Sequence, residues 1–172
     1  MNTMTLPEMR TFLRAGNTAS EPGSHKSAAA RQYSLGQAIQ TAVDGIGDGS
    51  LKPFSQNAVR PLAQTRAVLA LLAQCYAQQI YGSIAVARVA ARDPDFTWPW
   101  WEELPDARVL RRFREGQRGE IHRCLVAGLR FQAEQKILAG ALTRVDGPQL
   151  AEEAGRRITM AAFMDSLQLD GR

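Results

Sequence analysis

Apolar residues recur three and four positions apart along most of the chain from Leu35 onward. In an α-helix this spacing places side chains on one face, where they pack against a neighbouring helix. No segment shows the sustained alternation of apolar and polar residues that is typical of a half-buried strand. The pattern therefore predicts an all-α fold, a compact bundle of about five helices.

Glycine, proline and capping residues indicate where the helices begin and end. A run of glycines after position 44 is expected to end the first helix, and Gly82 the long apolar helix that follows Pro61. Ser83 is a suitable N-cap for the short helix after it. Pro105 and Asp106 start another helix, which a single glycine separates from the next. These signals predict helices over 35–44, 62–81, 83–92, 106–115, 117–142 and 149–167.

The first 34 residues differ in composition from the rest of the chain. They are rich in Ser, Thr, Asn, Gly and Ala, and residues 16–27 (GNTASEPGSHKS) have the character of a linker. We expect residues 1–34 to form a disordered N-terminal tail. Residues 35–172 are then enough for one helical domain with a core of its own.

Aromatic residues are concentrated in the segment DPDFTWPWWEELPD, residues 93–106, between two predicted helices. The three prolines of this segment exclude a long helix. Aromatic side chains interrupted by prolines favour a hydrophobic plug that joins the two helices. The alternative is a platform on which unpaired bases stack.

Composition narrows the class of protein. Hydrophobic residues make up 45% of the chain and charged residues 22%, which is typical of a soluble globular protein. No apolar run is long enough to span a membrane, and no signal-peptide pattern is present, so we expect a cytoplasmic protein. Cys75 and Cys124 are expected to be reduced and buried. His25 lacks companions at metal-ligand spacing, and we expect neither a metal nor a cofactor.

Positive charge is concentrated in one part of the chain. The net charge is +4 overall, and the stretch from Asp106 to Arg130 alone carries seven arginines and three carboxylates. Arginine is the side chain whose planar fork matches phosphate oxygens and the guanine edge. A simpler interpretation is that these arginines form a solvated face on which Arg111 pairs with Glu115, four positions away. The charge thus permits, without requiring, a polyanionic partner.

The order of these elements resembles the N-terminal domain of bacterial insertion-sequence transposases of the DDE class. In that family a core helix ends near a tyrosine-glycine-leucine-serine motif, which stands here without its leucine as Tyr81-Gly82-Ser83. An aromatic stretch and a proline-aspartate signature follow. The resemblance covers residues 53–131, and the signature consists of Pro105, Asp106, Leu110, Phe113 and Arg114.

This resemblance implies a helical DNA-binding domain with a helix-turn-helix-like unit, in which the helix from Asp106 to Glu115 reads duplex DNA. Family members continue into an RNase H-like catalytic domain, whose strand pattern is not found here, so we expect no enzymatic activity and no catalytic residues. The partner would be double-stranded DNA, such as the ends of a mobile element, with a second copy or a separate catalytic chain. The expected DNA contacts are Arg88, Arg92, Arg108, Arg111, Arg112, Arg114, Arg118 and Arg123.

Two other functions remain open from the sequence. The chain could be an all-α interaction or oligomerisation module, whose arginine face and C-terminal helix bind an acidic protein or another copy. A small enzyme is the weaker alternative, because His122 and Cys124 lie two positions apart and therefore point to different faces of a helix. The glycine-rich stretch GIGDGS lacks the strand, lysine and hydroxyl residue of a phosphate-binding loop.

Overall fold

The computed structural model describes residues 35–54, 60–92 and 105–170. Within these ranges the chain forms six α-helices, a short 3-10 helix at Asp48–Ser50 and no strand, which confirms the all-α prediction. The predicted tail, the helix cap at Ser34 and most of the aromatic segment lie outside the described residues. The helices are α1 (35–44), α2 (Pro61–Ala77), α3 (Ser83–Arg92), α4 (Ala107–Gly116), α5 (Arg118–Leu138) and α6 (Gly147–Asp170).

Helix α2 runs through the centre of the bundle. It contacts α3, α5 and α6, and its apolar side chains are buried over a broad arc, as the sequence predicts. Val68, Leu69, Leu72 and Tyr76 have no exposed surface. Since a helix that is apolar on most sides needs neighbours on most sides, α2 determines where the other helices pack.

Helix α2 ends five residues before Gly82, the predicted terminator. Its last residue is Ala77, and Gln79 adopts the left-handed conformation with φ of 65°. The N–H of Ile80 then donates to the carbonyl of Cys75 at 2.8 Å. This is the hydrogen bond of a Schellman motif, with glutamine at the position that glycine usually takes. The absence of glycine there is the reason that the sequence pattern placed the end too late.

Helix α5 also ends earlier than predicted, at Leu138 instead of Leu142. Gly140 has φ of 71°, and the N–H of Ala141 donates to the carbonyl of Lys136 at 2.8 Å. A glycine in the left-handed conformation with this hydrogen bond is the usual helix stop.

Helices α1 and α5 approach each other at Gly128. A Cβ atom added at Gly128 would lie 3.0 Å from Cδ1 of Ile39, closer than side chains pack. Leu35, Ile39 and Val43 of α1 are buried, which confirms the predicted inner face of that helix.

Helix α6 begins at Gly147, two residues earlier than predicted, because Asp146 caps it, and it ends at Asp170, three residues later than predicted. Oδ1 of Asp146 lies 3.4 Å from the backbone nitrogen of Gln149. The apolar spacing of this helix predicts an inner stripe of Leu150, Ala154, Ile158, Ala161 and Ala162. Ala154, Ile158 and Ala161 are buried and Leu150 is half-buried, whereas Ala162 is exposed, so its assignment to the stripe was wrong. Helix α6 packs on α5 and also touches α2 and α3.

Helices α3 and α4, the two helices of the predicted helix-turn-helix-like unit, contact each other. Helix α4 also contacts α5. The unit is therefore packed as one body with the core, and α4 keeps one side open to solvent.

Candidate functional site

Helix α4 begins where the sequence predicts. The carboxylate of Asp106 accepts a hydrogen bond from the N–H of Val109 at 2.7 Å, which satisfies one of the free donors of the first turn. The spacing of Val109, Leu110 and Phe113 predicts that all three lie on the buried face of α4, and Leu110 and Phe113 are buried. Val109 is 37% exposed, so its assignment to the buried face was wrong. The buried face of α4 is thus rotated relative to the predicted one, since it includes Arg114 in place of Val109.

The segment Lys52–Phe54 lies against the C-terminal half of α4. The rings of Phe54 and Phe113 meet edge to face with centroids 5.6 Å apart. The Gln117 side-chain amide donates to the carbonyl of Lys52 at 3.3 Å. Buried Thr65 fixes the segment from the other side, because its hydroxyl accepts the N–H of Phe54 at 2.8 Å.

A cavity of about 310 Å³ lies between this segment and α4. Lys52, Arg108 and Arg112 supply three positive charges to its lining, and none of the described residues that line it is acidic. The other lining residues are apolar or neutral: Pro53, Phe54, Val109, Phe113, Gly116 and Gln117. The cavity therefore combines a cationic part with an apolar wall. Sequence reasoning found the two arginines but missed Lys52, which only the tertiary packing brings to them.

Arg108 and Arg112 are both exposed and lie four positions apart, on the same side of α4. Among the described residues neither guanidinium has a carboxylate partner within 4.0 Å. Both side chains can therefore engage an anion without first breaking an ion pair. This arrangement suits the anionic partner that the sequence analysis expects for these two arginines.

Arg114 does not lie where the sequence predicts. It is 4% exposed, and its Nη2 donates to Oδ2 of Asp165 at 2.6 Å. Its Nη1 lies 3.4 Å from the hydroxyl of Tyr76 and 3.4 Å from that of Ser83. The assignment of Arg114 to DNA was therefore wrong, since a buried arginine with these partners is not available to a ligand on the surface.

Asp165 is the acceptor at the centre of this cluster, and sequence reasoning gave it no role. Oδ1 accepts the N–H of Ser83 at 2.7 Å, and Oδ2 accepts the Ser83 hydroxyl at 2.6 Å. Ser83 is the first residue of α3 and donates its hydroxyl, so the prediction that it caps this helix was wrong. A carboxylate of α6 takes that role, and its negative charge faces the positive end of α3. The sequence did contain a sign that Asp165 is buried, because Asp165 continues the helical spacing of the buried residues Ala154, Ile158 and Ala161.

Burial and hydrogen bonding shift the pKa values of this cluster. Burial raises the pKa of the Tyr76 hydroxyl above its ordinary value. Burial alone would lower the pKa of Arg114, but its hydrogen bond to Tyr76 and the charge of Asp165 outweigh this effect and raise it. Arg114 therefore stays charged and Tyr76 neutral. Together with Ser83 and Asp165, these two side chains link α2, α3, α4 and α6.

Arg111 also turns inward. Its Nε lies 3.8 Å from Oδ2 of Asp165, and this nitrogen is buried without a hydrogen-bond partner. The side chain is only 23% exposed and pairs with Asp165 instead of with Glu115. Arg111 is therefore poorly placed to read bases, against the expectation from its position on the helix.

The remaining predicted contacts lie on the surface. Arg88 and Arg92 are exposed at the C-terminal half of α3. Arg118 donates to the hydroxyl of Thr159 at 3.1 Å, and Arg123 lies 3.4 Å from Glu120. Arg118 and Arg123 thus already have polar neighbours, in contrast to Arg108 and Arg112.

His122 and Cys124 do not form a catalytic pair. Nε2 of His122 lies 2.8 Å from the carbonyl oxygen of Ala151. Burial raises the pKa of the Cys124 thiol to about 12, so the thiol is protonated at neutral pH and unreactive. The prediction that the two side chains serve different faces of the helix is confirmed.

Within the part of the chain that the structure describes, no group of three or more His, Cys, Asp or Glu side chains is placed to hold a metal ion. No helix in that part is both long enough and apolar enough to cross a membrane. The chain matches no protein-family model, and no curated protein or solved structure matches it either.

Proposed function

We propose that the chain is a duplex-DNA-binding module, comparable to the end-recognition domain of insertion-sequence transposases and without catalysis of its own. The observation that carries the proposal is the group Lys52, Arg108 and Arg112. These three cations line one cavity on the open side of α4, and neither arginine has a carboxylate partner among the described residues. Cations that lie together without a carboxylate partner in the described part of the chain suit the phosphates of a nucleic acid.

The rigidity of α4 supports this proposal. Arg114 ties the helix to Asp165 of α6, and Leu110 and Phe113 bury its inner face. Arg108 and Arg112 are therefore presented from a helix that does not need to become ordered on binding, which lowers the entropic cost of binding.

The positions of the signature residues agree with a structural role. Arg114 of the proline-aspartate signature and Ser83 of the tyrosine-glycine-serine motif meet within 3.4 Å. Both side chains donate a hydrogen bond to Oδ2 of Asp165. We infer that these signature residues stabilise the packing of α3 on α4. Proteins with the same pair of helices would then share these residues, and the resemblance to the transposase domain implies such a shared pair.

The proposal assigns a direct role to fewer residues than the sequence suggested. Arg108, Arg112 and Lys52 make the central phosphate contacts, while Arg88, Arg92, Arg118 and Arg123 are available at the periphery. Arg111 and Arg114 hold the helix in place instead.

Fluorescence anisotropy with labelled duplexes tests this proposal. The duplexes are the ends of the genomic segment that surrounds the gene, with shuffled duplexes as controls, titrated over a range of salt concentrations. We expect tighter binding to the ends and a steep loss of affinity with salt. Each phosphate that the protein neutralises contributes about −0.9 to the slope of log K against log salt.

A matched pair of variants locates the contact. Replacing Arg108 and Arg112 by alanine is expected to weaken binding and to reduce the steepness of the salt dependence by about 1.8, since two phosphate contacts are lost. Replacing Arg130 and Lys136, which are exposed on α5, removes the same charge elsewhere. Equal losses of DNA affinity from both pairs of substitutions would indicate unspecific electrostatic attraction. If no duplex binds at low salt, the proposal is wrong.

The second candidate is a protein-interaction or oligomerisation module. The outer face of α6 favours it, because Met160, Phe163 and Leu167 are 45%, 54% and 52% exposed. These residues lie opposite the buried stripe of the same helix, so α6 is apolar on two sides over its C-terminal half. Sedimentation of the parent and of Phe163→Ser measures this alternative: a concentration-dependent oligomer that the substitution dissociates would support it.

A further inference from the structure

The cavity beside α4 has a shape that contact with a duplex backbone does not require. A volume of about 310 Å³ lies at the lower end of the range of small-molecule pockets, roughly 300–1,000 Å³. The phosphates of a duplex are bound by cations on an open surface. A cavity is filled only by a group that projects into it.

The lining indicates the chemistry of that group. Lys52, Arg108 and Arg112 offer ammonium and guanidinium donors to an anion of high charge density, such as a phosphate. Phe54 and Val109 provide an apolar wall, and the contact of Phe54 with Phe113 holds its ring in place. A cationic part beside an apolar wall suits a ligand that joins a phosphate to a flat, weakly polar ring.

We propose that this cavity binds one nucleoside monophosphate unit, with its phosphate among Lys52, Arg108 and Arg112 and its base against Phe54 and Val109. Two sources share this chemistry: a free nucleotide, and an unpaired nucleotide at the end of a DNA strand. Binding of a strand end rests on the proposed DNA binding. Binding of a free nucleotide does not.

Gly116 offers a position at which the cavity can be filled without disturbing the core. A Cβ atom added at Gly116, which lines the cavity, would meet no atom within 4 Å. The same holds for Gly119, which lies on α5 and does not line the cavity. Gly116→Leu therefore adds a side chain to the lining of the cavity, and Gly119→Leu is its matched control.

Isothermal titration calorimetry with thymidine 5′-monophosphate tests the proposal, with thymidine and inorganic phosphate as reference ligands. We expect both reference ligands to bind at least about tenfold more weakly, because each has only half of the interactions. Gly116→Leu and Arg112→Ala are expected to weaken nucleotide binding by at least about tenfold, and Gly119→Leu and Arg130→Ala to leave it unchanged. Circular dichroism and thermal melting show that each variant is folded.

Three results would overturn the proposal: no heat with the nucleotide, phosphate binding as tight as the nucleotide, or equal binding by Gly116→Leu and the parent. The second would mean that charge alone attracts the ligand and that the apolar wall does nothing.

Duplexes distinguish the two sources. A blunt duplex and the same duplex with a one-nucleotide 5′-phosphorylated overhang are compared by anisotropy. If the duplex with the overhang binds more tightly than the blunt duplex, and Gly116→Leu abolishes this difference, the cavity binds strand ends. If both duplexes bind equally while the free nucleotide binds strongly, the cavity binds a free nucleotide. If no duplex binds but the nucleotide does, the DNA-binding proposal fails and the nucleotide site stands.

Discussion

Arg114 and Asp165 form an ion pair with Nη2 and Oδ2 2.6 Å apart, although 51 positions separate them in the sequence. The two side chains are 4% and 2% exposed. Asp165 also accepts both donors of Ser83, so one carboxylate joins three helices. The sequence analysis assigned the charge of Arg114 to DNA, but in the structure this charge pairs with Asp165 inside the protein.

Replacing Asp165 by alanine is expected to lower the free energy of unfolding by about 3–5 kcal/mol, because Arg114 would be left buried without its counter-ion. Urea denaturation measures the change. Arg156→Ala is the control, since Arg156 pairs with Glu153 at the surface and its loss should cost less than about 1 kcal/mol. The double substitution Arg114→Met with Asp165→Leu should cost less than Asp165→Ala alone, because no charge remains buried. Similar losses from Asp165→Ala and Arg156→Ala would contradict a desolvated pair.

Replacing Arg111 tests whether its side chain points toward Asp165 and away from the surface. Since its side chain turns toward Asp165 and is mostly buried, Arg111→Ala is expected to change DNA affinity by less than about twofold. Arg112→Ala, one position further on the open side of α4, is expected to weaken binding and to flatten the salt dependence by about 0.9. Anisotropy titrations of the two variants compare them directly. Equal losses of affinity would place Arg111 at the surface.

Val109 and Leu110 are neighbours in sequence with opposite environments. Leu110 has no exposed surface, and its replacement by alanine is expected to cost about 2–5 kcal/mol through lost burial and the cavity left behind. Val109 is 37% exposed, and Val109→Ala is expected to cost less than about 1 kcal/mol. Thermal or urea unfolding of both variants checks the boundary of the buried face. A large cost for Val109 would mean that this face is wider than described.

Stability should fall at alkaline pH because of Cys124. Burial raises the pKa of its thiol from 9.0 to about 12. Below pH 9 the thiol is protonated in both states, and between pH 9 and 12 only the unfolded chain releases the proton. The free energy of unfolding should therefore fall by about 1.4 kcal/mol per pH unit in this window. The raised pKa of Tyr76 has the same sign and adds to the loss above pH 10.

Urea titrations at several pH values between 8 and 10.5 measure this slope. In Cys124→Ala the contribution of the thiol is gone, so its slope should be shallower than that of the parent, whatever the absolute stability of the variant. Parallel slopes would show that the thiol is accessible to solvent in the folded chain.

Most of the helical architecture was predictable, because it depends on local patterns. Apolar spacing located the helices, and Asp106 identified the start of α4, where its carboxylate caps the first turn. The predicted helix ends were less accurate. Helix α2 ends at Ala77, because Gln79 adopts a left-handed conformation that is rare for glutamine and that no residue type at this point predicts.

The candidate site was only partly predictable. Arg108 and Arg112 were recognised from their position on an amphipathic helix, but Lys52 lies more than fifty residues earlier, and nothing local connects it to them. The amphipathic pattern also treated all arginines of α4 alike. It could not indicate that a carboxylate of α6 would draw two of them inward.

The sequence by itself determined the all-α class, the approximate helix positions and the density of positive charge, since backbone preference and apolar spacing act over a few residues. Only the tertiary structure decided which of these charges face outward. An arginine is buried or exposed according to the partner that packing brings within hydrogen-bond distance, and Asp165 reaches Arg114 only after α6 has folded back across the bundle.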